Sequence, residues 1–224
     1  MQKNNINTTA AIEYFNNAKS YTAHDKATAF AYSAMEWQKT SQVEFSPIRP
    51  LLITSPDYTC SAERAKRNSL KLLGKLDAKY NLLCFNLHGT DSDHTWYGQR
   101  EDSYPDAFCQ ELLPSVDNGY VLLTEACYGA RPLVKKSGEQ SIVVRALSNK
   151  CMSFVGSTRI AYGQANGHMS CADVIANVFT ESVAKGATCG QAFLNALEEL
   201  FYDDMNEAEI KTLAEFALYG DPSV

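Results

Sequence analysis

The sequence contains two apolar runs that each stop at a reactive side chain: FNLHG at residues 85–89 and LLTEACYG at residues 122–129. Each run is typical of a buried strand, and each reactive side chain has a glycine close behind it. His88 and Cys127 lie 39 residues apart, which leaves room for a helical crossover between neighbouring parallel strands. In an open α/β sheet, the residues that follow such strands converge on one crevice, where ligands bind. The two segments therefore predict a sheet that brings His88 and Cys127 together.

Strand-like and helix-like segments alternate along the rest of the chain. Apolar runs predict strands at 51–54, 82–87, 120–124 and 152–155. Apolar spacing and capping patterns predict helices at about 61–77 and 106–113 and after Ser137, Thr188 and Asn206. This alternation is typical of the α/β class, in which a mostly parallel sheet is flanked by helices on both faces.

The first 45 residues are predicted to be a helical extension. Amphipathic spacing favours helices in residues 10–15 and 27–37, and Pro47 and Pro50 then interrupt the pattern. The predicted organisation is therefore an N-terminal helical arm at 1–45 and an α/β domain at 46–224.

Charge and hydropathy exclude several classes of partner. The net charge is −6, and no run of basic residues is longer than Lys135-Lys136, so a nucleic-acid partner is not expected. The N-terminus is polar, and no apolar stretch approaches the ~20 residues that span a bilayer. We expect a cytoplasmic protein with no membrane partner, or a piece of a longer chain. No cofactor is expected.

The seven cysteines do not form a recognisable framework. Their odd number and the lack of a CxxC pair fit neither a disulfide scaffold nor a structural zinc site. Six of them are predicted to be packing residues in a reducing compartment. Cys127 differs because a strand precedes it directly and a tyrosine and a glycine follow it.

Cys127 and His88 have the chemistry of a nucleophile and its proton-transfer partner. A cysteine attacks as the thiolate, and a histidine within reach takes its proton and later protonates the leaving amine. The backbone N–H groups of Gly89 and Cys127 are the candidate donors to the oxyanion. Taken singly, such a histidine is more often structural and such a cysteine is more often core. Together, at two strand ends beside glycines, they favour a cysteine hydrolase.

A metal site is the alternative chemistry in the same region. Asp91, Asp93 and His94 follow the first segment closely, and a hard ion such as calcium would accept the two carboxylates. The more ordinary interpretation is that these carboxylates solvate a surface loop. The predicted set of site residues therefore contains no metal ligand.

Four stretches together resemble the caspase-like (clan CD) cysteine peptidases, and within them the gingipain-like branch. Residues 87–89 are similar to the histidine-glycine element, and residues 125–129 to the Glu/Gln-Ala-Cys-x-Gly nucleophile element. Residues 154–163 resemble the strand and loop that follow the nucleophile, and residues 218–223 resemble the close of the catalytic domain. The resemblance covers residues 50–224 and implies a caspase-like three-layer α/β sandwich. It also implies a His88/Cys127 dyad that hydrolyses peptide bonds in protein substrates through a thioester.

The resemblance also implies which loops bind the residue before the scissile bond. These are the loop after the first strand, which holds Asp57, and the loop after the fourth strand. The predicted substrate-binding residues are Asp57, Glu125, Ser157, Thr158, Arg159 and Tyr162. Asp57 favours Arg or Lys before the cut, unless it only caps a turn, whereas Arg159 in the pocket would favour an acidic residue.

Regulation and partners stay open at this stage. Residues 128–138 hold Arg131, Lys135 and Lys136 directly after the nucleophile, so the segment is either a self-cleavage site or a solvated basic loop. The rival function is a signalling or recognition module with a peptidase fold and little activity of its own. Such a module would usually lose the histidine or the cysteine, and this chain has both. An activating partner or additional domains are compatible with the sequence.

Overall fold

The protein is built around a six-stranded sheet that is parallel except at one edge. The computed structural model describes residues 28–49, 51–55, 80–114, 119–133 and 140–224, and for 51–55 only the backbone. The strands are β1 Ala29–Ala34, β2 Leu51–Ser55, β3 Leu82–Asn86, β4 Trp96–Tyr97, β5 Asp106–Phe108, β6 Tyr120–Thr124, β7 Cys151–Ser157 and β8 Phe216–Gly220. The main sheet has the order β2-β1-β3-β6-β7-β8, and β4 and β5 form a separate antiparallel pair.

Five helices are described, and three of them begin at a side-chain cap. The five helices are α1 Gln38–Glu44, α2 Ile142–Ser148, α3 Ala172–Ala184, α4 Cys189–Leu200 and α5 Glu207–Glu215, with 3₁₀ turns at Met35–Trp37, Ser46–Ile48 and Gln110–Leu112. The capped helices are α2, α4 and α5. The Thr188 side chain accepts a hydrogen bond from the Gln191 amide at the start of α4, and Asn206 and Glu209 form a complete capping box on α5. The predicted starts of α4 and α5 are confirmed.

The central strands are buried on both faces, which is why they are continuous apolar runs. β1, β3, β6 and β7 are buried over their whole length, and their contacts with one another and with β2 are parallel. One face packs against α2 and the β4–β5 pair, and the opposite face packs against α3 and α4. The chain therefore forms three layers, and the predicted class of a mostly parallel sheet flanked by helices is confirmed.

Two predictions about local structure are wrong. Residues 29–34, within the helix predicted at 27–37, form β1, which lies between β2 and β3 and pairs with both. The predicted boundary at 45/46 therefore divides one sheet, since β1 belongs to the same domain as β2. The helix predicted at 106–113 is strand β5 followed by a single 3₁₀ turn.

Other predictions fall on residues that the structure does not describe. The helices expected at 10–15 and 61–77 lie outside the described residues, as does Ser137. The helix expected after Ser137 begins at Ile142 instead, where the Ser141 side chain accepts a hydrogen bond from the Val144 amide. Within the described ranges, none of the helices has the length and apolar character that crossing a membrane requires.

The β1 assignment makes a direct prediction for stability. Phe30 on β1 is fully buried and packs against Phe85 and Tyr80, with ring centroids 6.4 and 5.5 Å away. We expect Phe30→Ala to lower the free energy of unfolding by about 3–5 kcal/mol, because it leaves a cavity in the core. Urea denaturation of the purified protein measures this loss.

The matched control for this experiment is Phe201→Ala at the end of α4, where the ring is 66% exposed. We expect it to change the free energy of unfolding by less than about 0.5 kcal/mol. A loss below about 1 kcal/mol for Phe30→Ala would restore the interpretation of this segment as a surface arm.

Candidate active site

His88 and Cys127 lie at the same edge of the sheet, beyond the carboxyl ends of two adjacent strands. β3 and β6 are parallel neighbours, with Phe85 opposite Thr124. His88 follows β3, and its backbone forms two 2.8 Å hydrogen bonds with Tyr97 that hold the segment against β4. Cys127 begins the turn that follows β6. The predicted juxtaposition of the two strand ends is therefore present.

The backbone of Gly89 packs directly against the backbone of Cys127. A Cβ atom at position 89 would overlap the Cys127 carbonyl oxygen and lie 3.2 Å from its backbone nitrogen. Only glycine therefore allows the two loops to approach this closely. Tyr128, the residue after the cysteine, has a φ of 58°, a strained conformation for a bulky side chain, and its amide donates to the Arg159 carbonyl. Strain of this kind is concentrated at functional sites.

The His88 ring is held by three neighbours. Its Nε2 lies 2.7 Å from Gln99 Oε1, the Trp37 ring centroid is 4.1 Å away, and Tyr104 contacts it edge-on at 5.1 Å. Partial burial lowers the pKa of His88 below 6.5, and the hydrogen bond to Gln99 opposes this shift. When Nε2 donates to Gln99, Nδ1 retains its lone pair and is able to accept a proton.

The Cys127 thiol is largely buried and donates to the Ala161 carbonyl oxygen, 3.7 Å from Sγ. Burial raises its pKa above 9.0, and hydrogen bonds with the backbone of Ala161, Cys127 itself and Gly89 oppose the increase. The thiol is therefore protonated at neutral pH in this state, so a base has to take its proton before it attacks.

A cavity of about 40 Å³ opens beside Cys127. This is room for roughly three water molecules, since one occupies about 10–15 Å³ by this measure. The residues that line it come from four separate parts of the chain: Trp37, Asn86, Glu125, Cys127, Ala161, Tyr162, Gly163, Gln164, Ala172 and Asp173. Two of the predicted substrate-binding residues, Glu125 and Tyr162, are among them.

The other predicted substrate-binding residues do not line this cavity. The Ser157 hydroxyl is buried and bonds the backbone of Arg159, and the Thr158 hydroxyl donates to the Glu215 carbonyl 2.9 Å away. Arg159 is exposed. Asp57 lies outside the described residues. The predicted role of Asp57 in substrate binding therefore stays a prediction.

Three buried carboxylates converge at this cavity, which Glu125 and Asp173 line, and the sequence did not predict them as a group. One oxygen each of Glu44, Glu125 and Asp173 lies within 4.8 Å of the other two. Glu44 is fully buried, and Glu125 and Asp173 are 6% and 1% exposed. We call this set the acidic cluster. Among the described residues, the acidic cluster is the group whose possible ligand atoms lie as close together as the ligands of a metal ion. Asp91, Asp93 and His94 do not form such a group.

The acidic cluster is only partly satisfied by hydrogen bonds. Asn86 donates to Glu44 Oε1 at 3.0 Å, and the amides of Gln164 and Ser170 donate to Asp173 Oδ2 at 2.9 and 3.0 Å. Within the described part of the chain no amide or hydroxyl donates to Glu44 Oε2 or Glu125 Oε1, but the Glu125 carboxyl lies within hydrogen-bonding reach of Glu44 and Asp173. A buried acceptor without a donor is costly, so a proton shared between these carboxyl groups satisfies them.

Burial raises the pKa of every member of the acidic cluster, and repulsion between carboxylates adds to the increase for Glu44 and Glu125. The pKa of Glu44 rises to about 8, and that of Asp173 to about 6, in both cases mainly because of burial. The pKa of Glu125 rises well above its usual value for the same reason, with repulsion from Glu44 and Asp173 adding to it. A positive charge placed in the cavity would oppose these shifts, because it stabilises the ionised carboxylates.

Sequence signals for the missed residues were weak. Glu44 and Asp173 lie 129 residues apart, and neither is part of a spacing motif. Asn86 was the clearest hint, because an amide inside a fully buried strand has to find a polar partner, here Glu44. Gln99 and Trp37 belong to a loop and to the supposed arm, so nothing in the sequence placed them beside His88.

A mostly parallel sheet with a histidine and a cysteine beyond adjacent strands is the arrangement of the caspase-like cysteine peptidases. The chain belongs to peptidase family C25, the gingipain family of clan CD, whose family model matches residues 8–224. This match includes most of the segment that had been predicted to be a separate arm. No curated protein sequence matches the chain significantly.

Two solved structures share the fold. A structure described as a protease matches with a TM-score of 0.55 and 12% identity, over 96% of this chain and 53% of that chain. Separase of Saccharomyces cerevisiae, in its complex with securin, matches with a TM-score of 0.54 and 13% identity, over 95% of this chain and 13% of that chain. The chain therefore spans about half the length of the first protein and about an eighth of the second. At these identities the likeness concerns the fold.

The surroundings of His88 predict opposite shifts for two substitutions. Trp37→Ala exposes the ring to water, so we expect the pKa of His88 to rise towards 6.5. Gln99→Leu removes the hydrogen bond that raises this pKa, so we expect it to fall further. NMR titration of the histidine C2 protons, with the resonance assigned by His88→Gln, measures both shifts. An unchanged midpoint in both variants would contradict this account of the ring.

Proposed function

We propose that this protein is a cysteine endopeptidase in which Cys127 is the nucleophile and His88 its proton-transfer partner. The observation that carries the proposal is the approach of the two strand-end loops, where the Gly89 backbone packs against Cys127 with no room for a side chain. Membership of peptidase family C25 supports the same activity at the level of the family. The individual roles of the residues are our inference from geometry.

The proposed reaction has two steps. His88 Nδ1 accepts the thiol proton of Cys127, and Sγ attacks the scissile carbonyl carbon as its C=O bond opens. The backbone N–H groups of Gly89 and Cys127 donate to the resulting oxyanion. The C–N bond then breaks, His88 gives the proton to the departing amine, and a thioester remains on Cys127. Water, deprotonated by His88, attacks the thioester and releases the acid and the thiol.

The acidic cluster supports a preference for Arg or Lys before the scissile bond. Glu125 and Asp173 line the cavity beside Cys127, so a cationic side chain that enters it meets carboxylates within the same small volume. A charged hydrogen bond to a desolvated carboxylate is among the stronger contacts available to a ligand. Glu125 and Asp173 therefore replace Asp57 as the proposed determinants of specificity, and exposed Arg159 does not oppose them.

Self-processing and activation by a partner stay predictions. The Arg131 guanidinium lies over the Tyr128 ring at 5.7 Å, close to the cysteine in sequence, whereas Lys135 and Lys136 lie outside the described residues. The separase structure is a complex with securin, which loosely supports a protein partner here. The unaltered protein and the Cys127→Ala variant are each purified and incubated, and any fragments are identified by N-terminal sequencing. Fragments that form only in the unaltered protein result from self-cleavage, whereas fragments that form in both result from a contaminating protease.

The test of activity and specificity is a panel of fluorogenic peptides with Arg, Lys, Asp, Asn or Leu before the cut. We expect Arg and Lys peptides to be cleaved by the unaltered protein and not by Cys127→Ala. Glu125→Gln and Asp173→Asn should each lower kcat/KM for basic peptides by about 10- to 100-fold, because each removes a partner of the bound cation.

The matched control for specificity is Glu181→Gln, which removes an exposed carboxylate on α3, the same helix that carries Asp173. We expect it to change kcat/KM by less than about twofold. Equal cleavage of basic and neutral peptides would refute the assignment of the acidic cluster. No cleavage of any peptide would instead favour the recognition module.

The close contact at Gly89 makes a separate prediction. Gly89→Ala pushes the loop away from Cys127, so we expect kcat to fall by about 10²- to 10³-fold, as when an oxyanion donor is lost. Ser92→Ala, in the exposed part of the same loop, should retain kcat within about twofold. If Gly89→Ala has normal kcat while circular dichroism shows a native fold, the donor role of this backbone is wrong.

A further inference from the structure

Helices α4 and α5 expose an apolar patch. Nine large apolar side chains are exposed in the described part of the chain, and four of them belong to these helices and the loop between them: Leu194, Phe201, Tyr202 and Ile210. Helical spacing puts Leu194 on the same side of α4 as Leu197, and Ile210 on the same side of α5 as Leu213. Single exposed apolar side chains are ordinary, whereas a contiguous patch indicates a binding surface.

A groove lies between the two helices. Its volume is about 490 Å³, against about 40 Å³ for the cavity beside Cys127, and it is lined by Leu197, Glu198, Phe201 and Leu213. Ligand sites have volumes of about 300–1,000 Å³, so several side chains of one ligand fit here. A groove with apolar walls is a common binding surface for an amphipathic helix. We call this surface the α4–α5 groove.

Acidic residues lie along the α4–α5 groove. Residues 198–209, which form the end of α4, the loop and the start of α5, contain no lysine or arginine and six acids: Glu198, Glu199, Asp203, Asp204, Glu207 and Glu209. The Glu207 carboxylate lies 2.6 Å from Lys211 Nζ, whereas Asp203 and Asp204 are exposed and form no ion pair within the described ranges. A partner that is both apolar and basic therefore matches this surface in hydropathy and in charge.

The α4–α5 groove is connected to the candidate active site. Helix α5 ends at Glu215, whose carbonyl oxygen accepts hydrogen bonds from the amide and the hydroxyl of Thr158, 2.8 and 2.9 Å away. Thr158 begins the segment that continues to Ala161 and Tyr162, which line the cavity beside Cys127. The groove and the cavity therefore lie on elements that contact each other, so one extended polypeptide is able to reach both.

We propose that the α4–α5 groove binds an apolar, Lys- or Arg-rich segment of the protein substrate, separate from the residues around the scissile bond. The apolar side chains of the segment fill the groove, and its basic side chains lie against the acids along it. This contact is the same before and during the reaction, so it lowers KM and leaves kcat unchanged. The binding of such a segment stands on the surface alone, whereas its place in a substrate rests on the proposed peptidase function.

The binding test uses three fluorescently labelled peptides and the full-length Cys127→Ala protein, which does not digest them. The first peptide has Leu and Lys at the spacing of an amphipathic helix, the second has Glu in place of Lys, and the third has Ser in place of Leu. We expect fluorescence anisotropy to show binding of the Leu/Lys peptide. The other two should bind at least about tenfold more weakly, because each lacks one of the two complementary features.

Matched variants locate the binding. Phe201→Ala and Ile210→Ala should each weaken the binding of the Leu/Lys peptide at least about tenfold, since each removes an exposed apolar contact of the patch. Val43→Ala, which shortens an exposed apolar side chain on α1, should change it by less than about twofold. Urea denaturation shows that each variant is folded. Lack of binding by the Leu/Lys peptide, or equal binding by Phe201→Ala and its parent, would overturn the proposal.

The cleavage test compares two fluorogenic substrates of the unaltered protein. Both contain the same site, with Arg before the cut, and a Gly/Ser linker of about 20 residues, which spans about 25 Å on average. One substrate continues with the Leu/Lys segment and the other with the Ser/Lys segment, so competition of the lysines for the cavity beside Cys127 is equal in both. We expect the Leu/Lys segment to lower KM at least about tenfold at unchanged kcat, and Phe201→Ala to abolish this difference.

The outcomes separate the α4–α5 groove from the peptidase. If the Leu/Lys peptide binds but no substrate is cleaved, the proposed function fails and the groove stands as a site for a basic partner. If both substrates are cleaved with equal KM, the groove does not serve the substrate and the proposal is wrong. If sedimentation shows a dimer for the parent protein and a monomer for Phe201→Ala, the groove is an interface between copies of this chain, which contradicts the proposal as well.

Discussion

The close packing of the Gly89 backbone on Cys127 is the constraint on which the candidate site depends. It follows from the parallel register of β3 and β6, because that register ends both strands at one level and directs both following loops into one crevice. The backbone hydrogen bonds between His88 and Tyr97 then fix the position of His88 relative to the end of β3. A one-residue slip between these strands would turn their buried side chains to the opposite faces, so the core on both faces enforces the alignment of the site.

The carboxylate of Glu44 belongs to the acidic cluster, and its backbone connects parts of the fold. Its carbonyl oxygen accepts hydrogen bonds from the Asn177 and Thr180 side chains on α3, and its carboxylate accepts one from Asn86 at the end of β3. The segment between β1 and β2 is therefore hydrogen-bonded through Glu44 to both strand β3 and helix α3. The supposed N-terminal arm therefore supplies one wall of the cavity, through Trp37, and one member of the acidic cluster.

Sequence reasoning succeeded where the signal was local and failed where residues converge from distant parts of the chain. Continuous apolar runs identified β3, β6 and β7, and the capping residues at Asn206 and Thr188 identified two helices. The spacing of apolar residues over 27–37 is compatible with an amphipathic helix, whereas burial between two strands decides the conformation of β1. No spacing rule connects Glu44 with Asp173, since only the crossover of the chain brings them together.

The acidic cluster is a local conflict in a sequence that otherwise agrees with its fold. Packed apolar residues in place of three buried carboxylates would usually stabilise a protein, because desolvation of charges costs more than their contacts return. Such conflicts are typical of functional positions. The cluster is adjacent to the proposed nucleophile and not elsewhere in the core, so its destabilising effect coincides with the position where we propose that the basic side chain of a substrate binds. That coincidence is stronger support for the proposed pocket than the net charge of −6, because acids anywhere on the surface would give the chain the same charge.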